Sequence, residues 1–284
     1  MKIIEKSKIW FSISLIIIVV GVGFMLTKGL NFGIDFEGGT RLVIEFGEKF
    51  DKPEIDENVK EIVSEAVTKT IEGTQYEIKA QDLDETKTAE LFKSLKEEYD
   101  LKDDALITQQ RIGASIGNEL TRNSGIALGV ACIAMLIYIA IRFKMDYGIA
   151  AIVALVHDVL ITLSVYAIFD ISINTSFIAA ILTVVGYSMN DTIVIFDRVR
   201  ENSKNMRRGT ATEIANKSIS QTIGRSIKTS ITTLITIGTV TIFVPTVREF
   251  SFPLLVGITA GAYSSLFIAS PVWVMLRNMK NGKK

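Results

Sequence analysis

Long uncharged runs of apolar residues recur along this chain and predict helices that cross a membrane. Ile9 to Thr27 and Asn123 to Ile141 are each 19 residues long and carry no charge. At about 1.5 Å rise per residue, each run is long enough to cross the hydrocarbon layer. Four further runs contain few or no ionisable residues: Tyr147 to Phe169, Ile171 to Asn190, Thr229 to Val247 and Phe250 to Leu276. The pattern therefore predicts six membrane-spanning helices.

Residues 28–122 follow a different pattern, in which short alternating runs predict strands and longer periodic runs predict helices. Strands are predicted at Thr40 to Phe46, Tyr76 to Ala80 and Ala105 to Gln109. A first helix, capped by Asp51, carries Ile55, Val59, Ile62, Val63, Ala66 and Val67, and a second carries Leu91, Phe92, Leu95 and Tyr99. This order predicts a small α+β domain, a ferredoxin-like sandwich with helices on one face of a sheet.

Charge separates the same two regions. Overall 48% of residues are hydrophobic and 22% are charged. Residues 28–122 hold 13 basic and 22 acidic residues, and the rest of the chain holds 18 basic and 9 acidic. The long apolar runs exclude a simple cytosolic enzyme, and the single cysteine, Cys132, excludes an internal disulfide. We expect three regions: a first span in residues 1–27, an acidic aqueous domain in 28–122, and five spans in 123–284.

Basic residues predict the orientation, because positively charged connections stay in the cytoplasm. Residues 197–228 hold eight basic and three acidic residues and are predicted to be a cytoplasmic loop. Within this loop, an apolar stripe after a capping box at Thr210 and Glu213 predicts a helix along the membrane surface. Both termini are therefore expected in the cytoplasm, residues 28–122 outside, and the first span is expected to be an uncleaved anchor.

Asp191 is the most informative ionisable residue of the predicted spans. A carboxylate in hydrocarbon costs a few kcal/mol, so it needs a partner, a proton or water and marks a candidate functional site. Thr183, Tyr187 and Asp191 share one helix face, with Asn190 beside it. This polar stripe favours an ion or proton relay. The alternative is an aspartate that only packs one span against another.

Arg225 is the natural counter-charge for Asp191. On a helix, Thr229 and four later threonines fall near the face of Arg225 and form a hydroxyl ladder into the fifth span. Threonine hydroxyls can also bond to their own backbone, and an arginine in a positive segment can be a headgroup anchor. The relay interpretation is favoured because the fourth and fifth spans each bring an ionisable group to similar depth.

His157 and Asp158 lie at the centre of the third span, where charge is most costly. Histidine titrates near neutral pH, so His157 is a candidate proton carrier, and Asp158 is a second candidate carboxylate. Polar groups inside membranes also hold helices together, and that role stays open for both residues. Two Gly-x-x-x-Gly motifs, beginning at Gly125 and Gly257, predict close helix packing without chemistry.

Three long motifs resemble one known family. They are NFGIDFEGGT at residues 31–40, GYSMNDTIVIFDRVRE at 186–201 and NKSISQTIGRSIKTSITT at 216–233. In this order, with six spans and a domain after the first, they closely resemble the SecF type of the SecD/SecF protein-export family. The resemblance covers nearly the whole chain. It implies half of a resistance-nodulation-division (RND) fold, with Asp191 as the ion-coupling carboxylate and Arg225 as its partner.

The same resemblance implies partners and energy source. SecD and the SecYEG channel are the implied partners, with YajC and YidC as further ones, a preprotein at the aqueous domain, and membrane lipids but no nucleic acid. In the bacterial plasma membrane, a proton or sodium gradient would drive export, and no cofactor is expected beyond the transported ion. There is no Walker motif, so ATP hydrolysis is not expected. The resemblance implies a transport component and not an enzyme.

Other functions remain open from the residues alone. An RND-type exporter of lipid or small molecules would keep the relay, although such exporters usually have two larger porter regions. An intramembrane aspartyl protease would use Asp158 and Asp191, because paired carboxylates can activate water. A purely structural subunit is the fourth possibility.

Overall fold

The computed structural model describes residues 2–71, 73–206 and 208–281. The chain divides into two compact units, one formed by Met1–Asn31 with Ile126–Lys284 and the other by Phe32–Gly125. These boundaries lie within four residues of the expected limits, 28 and 122. Arg207, Lys283 and Lys284, which belong to the predicted basic segments, lie outside the described residues.

The first unit contains the membrane-spanning helices. Among the described residues, six helical segments are long and apolar enough to cross a membrane. The first five are α1 (Ser7–Lys28, preceded by a 3₁₀ turn at Ile4–Lys6), α5 (Ala114–Arg142), α6 (Met145–Ile168), α7 (Thr175–Asn205) and α8 (Ala211–Phe243). The last span consists of a 3₁₀ turn (Pro245–Val247), α9 (Arg248–Ser264), a π-helical turn (Ser265–Ala269) and α10 (Ser270–Asn281). The predicted number of spans is confirmed.

The predicted loop over residues 197–228 is wrong. Helix α7 continues to Asn205 and α8 begins at Ala211, so only five residues connect them. The capping box between Thr210 and Glu213 is confirmed, but it begins the fifth span itself and not a separate surface helix. The polar residues of this segment extend both helices beyond their apolar parts, because amphipathic helix periodicity continues through them.

The second unit is the α+β domain. Its elements, in chain order, are α2 (Ile34–Glu37), β1 (Gly39–Glu45), α3 (Lys52–Ile62), β2 (Val67–Ile71), β3 (Gln75–Ala80), α4 (Glu85–Glu98) and β4 (Leu106–Ile112). The strands form one antiparallel sheet in the order β2-β3-β1-β4. This is the split βαβ arrangement of a ferredoxin-like sandwich, so the predicted fold class is confirmed.

Strand β2 was not predicted, and Ala66 and Val67 do not belong to the first helix. That helix ends at Ile62, and its C-cap Val63 has an extended backbone. The following Val-Thr-Lys-Thr-Ile run is rich in β-branched residues, which favour strands over helices. Asp51 is the N-cap residue as predicted, although its side chain accepts no capping hydrogen bond.

Asp56 joins α3 to the sheet. Its carboxylate accepts hydrogen bonds from Thr68 at 2.6 Å, from Tyr76 at 2.5 Å and from the Lys52 ammonium at 2.6 Å. Burial alone raises the pKa of Asp56, but these three donors outweigh it and hold the pKa below its ordinary value. The ionised carboxylate therefore stabilises the folded domain at neutral pH.

The Gly-x-x-x-Gly motif of α9 packs closely against other helices. A Cβ atom at Gly261 would lie 2.8 Å from the Cβ of Ser188 on α7, and one at Gly257 would meet Val184 of α7 and Thr162 of α6. Close packing at this motif is confirmed. The motif of α5 behaves differently, because a Cβ at Gly129 would have no neighbour within 4 Å among the described residues.

Candidate functional site

Asp191 lies near the middle of α7 and is almost completely buried, with 3% of its surface exposed. Its carboxyl interacts with the Ser226 hydroxyl and the Arg225 guanidinium of α8. Within the described chain, neither Asp191 Oδ2 nor Ser226 Oγ has a hydrogen-bond partner at bonding distance. A buried carboxylate oxygen without a donor is costly, so this carboxyl is suited to bind a proton or a cation.

Two further hydroxyl groups near this part of α7 and α8 share that property. Tyr187, one helical turn before Asp191, and Ser230, one turn after Ser226, have buried hydroxyls without a partner among the described residues. Ser226 and Ser230 also line a groove of about 260 Å³ between α8 and the last span. The Ser226 hydroxyl thus belongs both to this groove and to the surroundings of the Asp191 carboxyl.

The predicted partnership of Asp191 with Arg225 is present only as an electrostatic attraction over a longer distance. No ion pair joins the two side chains in the described part of the chain, and Arg225 is exposed. Helix geometry explains the difference, because the buried face of α8 carries Thr222, Ser226 and Ser230. Arg225 precedes Ser226 by one residue and is therefore rotated about 100° away from that face.

Asn190 and Thr229 do not contact the Asp191 carboxyl by any hydrogen bond within the described residues. Asn190 is exposed, and Thr229 is half-buried. The Thr229 hydroxyl donates to the carbonyl of Arg225 at 3.0 Å, and the later threonines of the ladder also donate to their own helix. These hydroxyl protons are engaged by backbone carbonyls of α8 itself, so the threonines do not donate them to Asp191.

His157 and Asp158 form a second buried site, on α6. They are 7% and 0% exposed. Nδ1 of His157 lies 2.8 Å from Oδ1 of Asp158, and Nε2 lies 2.9 Å from the Ser14 hydroxyl of α1. The Ser188 and Ser264 hydroxyls donate to Oδ2 of Asp158 at 2.5 Å and 2.7 Å. Asp158 is therefore fully hydrogen-bonded, in contrast to Asp191.

Sequence reasoning missed the three serines that complete this second site. Ser14, Ser188 and Ser264 come from α1, α7 and α9, and only the folded bundle brings them to one carboxylate and its histidine. Each is a buried hydroxyl in a mainly apolar helix. An isolated polar residue in an apolar span was the available signal, but serine is common in spans because it packs closely and bonds to its own helix.

The π-helical turn of the last span lies between the two sites. Ser264 precedes this turn and bonds to Asp158, while Ser265, its first residue, lies 2.8 Å from the Thr192 hydroxyl. Thr192 follows Asp191 directly on α7. Such π-helical turns inside α-helices frequently occur at functional sites, because they realign neighbouring side chains.

The sequence matches two family descriptions. Residues 91–279 match "Protein export membrane protein SecD/SecF, C-terminal", and residues 23–49 match "SecD/SecF GG Motif". The chain is 38% identical over 299 residues to protein translocase subunit SecF of Sebaldella termitidis, covering 100% of this chain and 96% of that protein. It is 34% identical to protein translocase subunit SecDF of Bacillus subtilis, covering 95% of this chain and 37% of that protein.

A solved structure shows the same architecture. The chain superimposes on SecDF from Thermus thermophilus, a translocon-associated membrane protein, with a TM-score of 0.88 and 31% sequence identity. The match covers 98% of this chain and 39% of that longer one. The membrane spans, the α+β domain and the sequence motifs therefore lead to one conclusion: this chain is a multi-pass membrane protein that belongs to the SecD/SecF family of protein-export proteins.

Proposed function

We propose that this chain couples a transmembrane proton or sodium gradient to late steps of preprotein translocation, acting with SecD at the SecYEG channel. The observation that carries the proposal is the buried Asp191 carboxyl, whose Oδ2 has no hydrogen-bond partner among the described residues. YajC and YidC are proposed as further partners. The protein would lie in the bacterial plasma membrane with both termini in the cytoplasm and the α+β domain outside.

The energetics of Asp191 support a coupling role. A carboxylate in this position has a high desolvation cost, and binding a proton or a cation removes much of that cost. One elementary charge that crosses 100 mV supplies about 2.3 kcal/mol, which shifts a two-state equilibrium by roughly fiftyfold. This is enough to bias one rearrangement of the helices, and repeated cycles would be needed to move a polypeptide.

Exposed helices support a membrane partner such as SecD. In their most apolar windows, only 11% of α1, 6% of α5 and 11% of α8 is buried inside this chain. Arg225 and Asn190, two of the predicted relay residues, are also on exposed surface. Because a charged side chain in contact with lipid is costly, we propose that SecD covers this surface and completes the surroundings of Arg225.

The proposal is tested by gradient-driven export in vesicles that contain the whole translocation machinery. Asp191→Asn and Arg225→Met are expected to abolish the stimulation by the gradient while membrane insertion and assembly stay normal. The matched controls are Asp197→Asn and Arg198→Met, which remove the same charges nearby on α7. Asp197 pairs with Arg142 and is half-exposed, so both controls should keep the stimulation. Normal stimulation in Asp191→Asn would exclude the proposed coupling.

The geometry of Asp158 and a peptide-cleavage assay distinguish the protease alternative. Asp158 accepts hydrogen bonds from Ser188 and Ser264 and contacts His157, and no hydrogen bond joins it to Asp191 in the described chain. Paired catalytic carboxylates instead share a proton across a short distance. Peptide cleavage by the purified protein that disappears in Asp191→Ala would support the protease.

A further inference from the structure

We propose that His157 and Asp158 form a second proton-binding site, separate from Asp191, and that Ser14 transmits its protonation state to α1. The site is the hydrogen-bonded chain Ser14–His157–Asp158 with its two serine donors, Ser188 and Ser264. Proton binding at this site is independent of the proposed function. The transmission of the protonation state to α1 deepens the proposed function, and only this transmission rests on it.

The surroundings of the pair favour one exchangeable proton. Asp158 is completely buried, and its carboxylate is reached by three hydrogen-bond donors, His157, Ser188 and Ser264. An unbalanced negative charge at the centre of a span is costly. A proton on His157 removes this imbalance, because the imidazolium and the carboxylate together are neutral. The pair can therefore bind and release one proton with a well-defined partner in each state.

No second charge competes for the imidazole within the described residues. From α1 it faces Ser14, and from α9 it faces the ring of Tyr263, with ring centroids 6.1 Å apart. The hydroxyls of Ser188 on α7 and Ser264 on α9 face the Asp158 carboxylate. Other titratable groups on these helices include Tyr187 and Asp191 of α7, and neither is hydrogen-bonded to the pair in the described chain. Asp146 of α6 pairs with Arg277 of α10 at 3.6 Å.

Protonation reverses the hydrogen bond to α1. In the neutral imidazole, Nδ1–H donates to Asp158 and Nε2 accepts the Ser14 hydroxyl proton. When a proton binds to Nε2, the new N–H donates to Ser14 Oγ, and the hydroxyl proton must turn elsewhere. The natural acceptor is the carbonyl four residues earlier on α1, that of Trp10. This carbonyl already accepts the Tyr263 hydroxyl at 2.8 Å. Protonation therefore changes both polar contacts of α1.

Helix α1 is sensitive to these two contacts because it makes few other polar contacts with the bundle. Among the described residues, two hydrogen bonds join α1 to the bundle, Ser14–His157 and Tyr263–Trp10. An apolar groove of about 230 Å³ lies beside the first of them and separates part of α1 from α6 and α9. The end of α1 precedes the α+β domain in the chain. A change in how α1 is held is thus a direct route from a buried proton to that domain.

Ser264 and Ser265 link this second site to Asp191. Ser264 bonds to Asp158, and Ser265 bonds to Thr192, the residue after Asp191. The two serines are neighbours at the start of the π-helical turn. A shift of this turn therefore alters the surroundings of both carboxyl groups, so the two proton sites are expected to influence each other weakly.

Proton binding can be measured directly, because His157 is the single histidine of the chain. The full chain in lipid nanodiscs, labelled with ¹⁵N-histidine, gives one imidazole signal to follow between about pH 5 and pH 9. We expect a one-proton titration from the Nδ1-protonated tautomer. Asp158→Asn should lower the proton affinity by about tenfold or more, because the imidazolium loses its counter-charge. Asp191→Asn should leave it within about threefold, because Asp191 does not contact the pair.

Two results would overturn the assignment: an imidazole that does not titrate in this range, or an unchanged proton affinity in Asp158→Asn. If Asp158→Asn does not fold, Ser264→Ala replaces it. This variant keeps the carboxylate but removes one donor, so the proton affinity should rise; an unchanged or lower affinity contradicts the proposal. None of these measurements uses export, so their failure is distinct from failure of the coupling role of Asp191.

Transmission to α1 is read from Trp10. In a Trp273→Phe background, Trp10 is the single tryptophan, and its ring contacts Tyr263 and Phe267 at centroid distances of 6.4 Å and 4.5 Å. Its emission should change along the same titration curve as His157. Ser14→Ala should abolish this change while the imidazole still titrates. Emission that is independent of pH in the background, or an unaltered change in Ser14→Ala, would refute transmission through Ser14.

Discussion

Replacing Gly261 by alanine tests how closely the last span packs against α7. The new Cβ would lie 2.8 Å from the Cβ and 3.1 Å from the Cα of Ser188, whereas ordinary contacts begin at 3.4 Å. Because one of these atoms belongs to the backbone, the two helices must separate by about half an ångström, and overpacking of this kind costs about 1–3 kcal/mol. Ser188 also donates to Asp158, so the same shift weakens the second proton-binding site.

The matched control is Gly129→Ala on α5. No atom lies within 4 Å of the corresponding Cβ position among the described residues, and alanine favours a helix by up to about 1 kcal/mol over glycine. Unfolding of the purified chain in mixed micelles by increasing dodecyl sulfate measures both variants. We expect Gly261→Ala to unfold at a lower fraction of dodecyl sulfate than the parent, and Gly129→Ala at the same or a higher fraction. Equal stability of Gly261→Ala and the parent would refute the packing argument.

Three further predictions concern the α+β domain, α1 and the chain start. Because the pKa of Asp56 is lowered in the folded domain, its contribution to folding stability is complete above the ordinary pKa of 3.8 and is lost as the pH falls through the folded-state pKa. Asp56→Asn should therefore weaken the protection of amides in β2 and β3 from hydrogen exchange at pH 7 and reduce the dependence of that protection on acid. Unchanged protection would contradict this. Gly21→Val should push α1 away from Ser164 and shift Trp10 emission to longer wavelength; an unshifted spectrum would show that this contact is unimportant. Oδ1 of Asn216 accepts hydrogen bonds from the backbone N–H groups of residues 3 and 4 at 3.0 and 3.2 Å. Asn216→Ala should therefore accelerate hydrogen exchange of these two amides several-fold, and an unchanged exchange rate would disprove this.

The spans could be predicted from the sequence because the bilayer imposes a minimum apolar length, and no packing partner is needed to recognise it. The ends of the spans could not. Helix α7 continues through Asp197 to Asn205 because a helix does not end where the membrane ends. The positive charges there indicate an aqueous side, but they contain no signal that stops the helix before Met206.

The sequence located both candidate sites but not their connections. Asp191 and Asp158 were recognisable because a carboxylate is costly in an apolar span. Whether each has a hydrogen-bond partner depends on which helices pack against it. Asp158 accepts hydrogen bonds from serines of α7 and α9, whereas Asp191 has the Ser226 hydroxyl beside it and is attracted by Arg225 only over a longer distance. A difference of one residue on α8 decides this, and only the packing of the bundle determines the rotation of that helix.

Ion coupling at Asp191 is the central claim, and the most direct measurement is export driven by one imposed gradient at a time. Vesicles containing the complete machinery would receive a proton gradient or a sodium gradient with the electrical potential clamped, and preprotein translocation would be followed for the parent and for Asp191→Asn. We predict that one of the two gradients accelerates translocation by the parent and that neither accelerates it in Asp191→Asn. Equal acceleration of the parent and Asp191→Asn would contradict the claim.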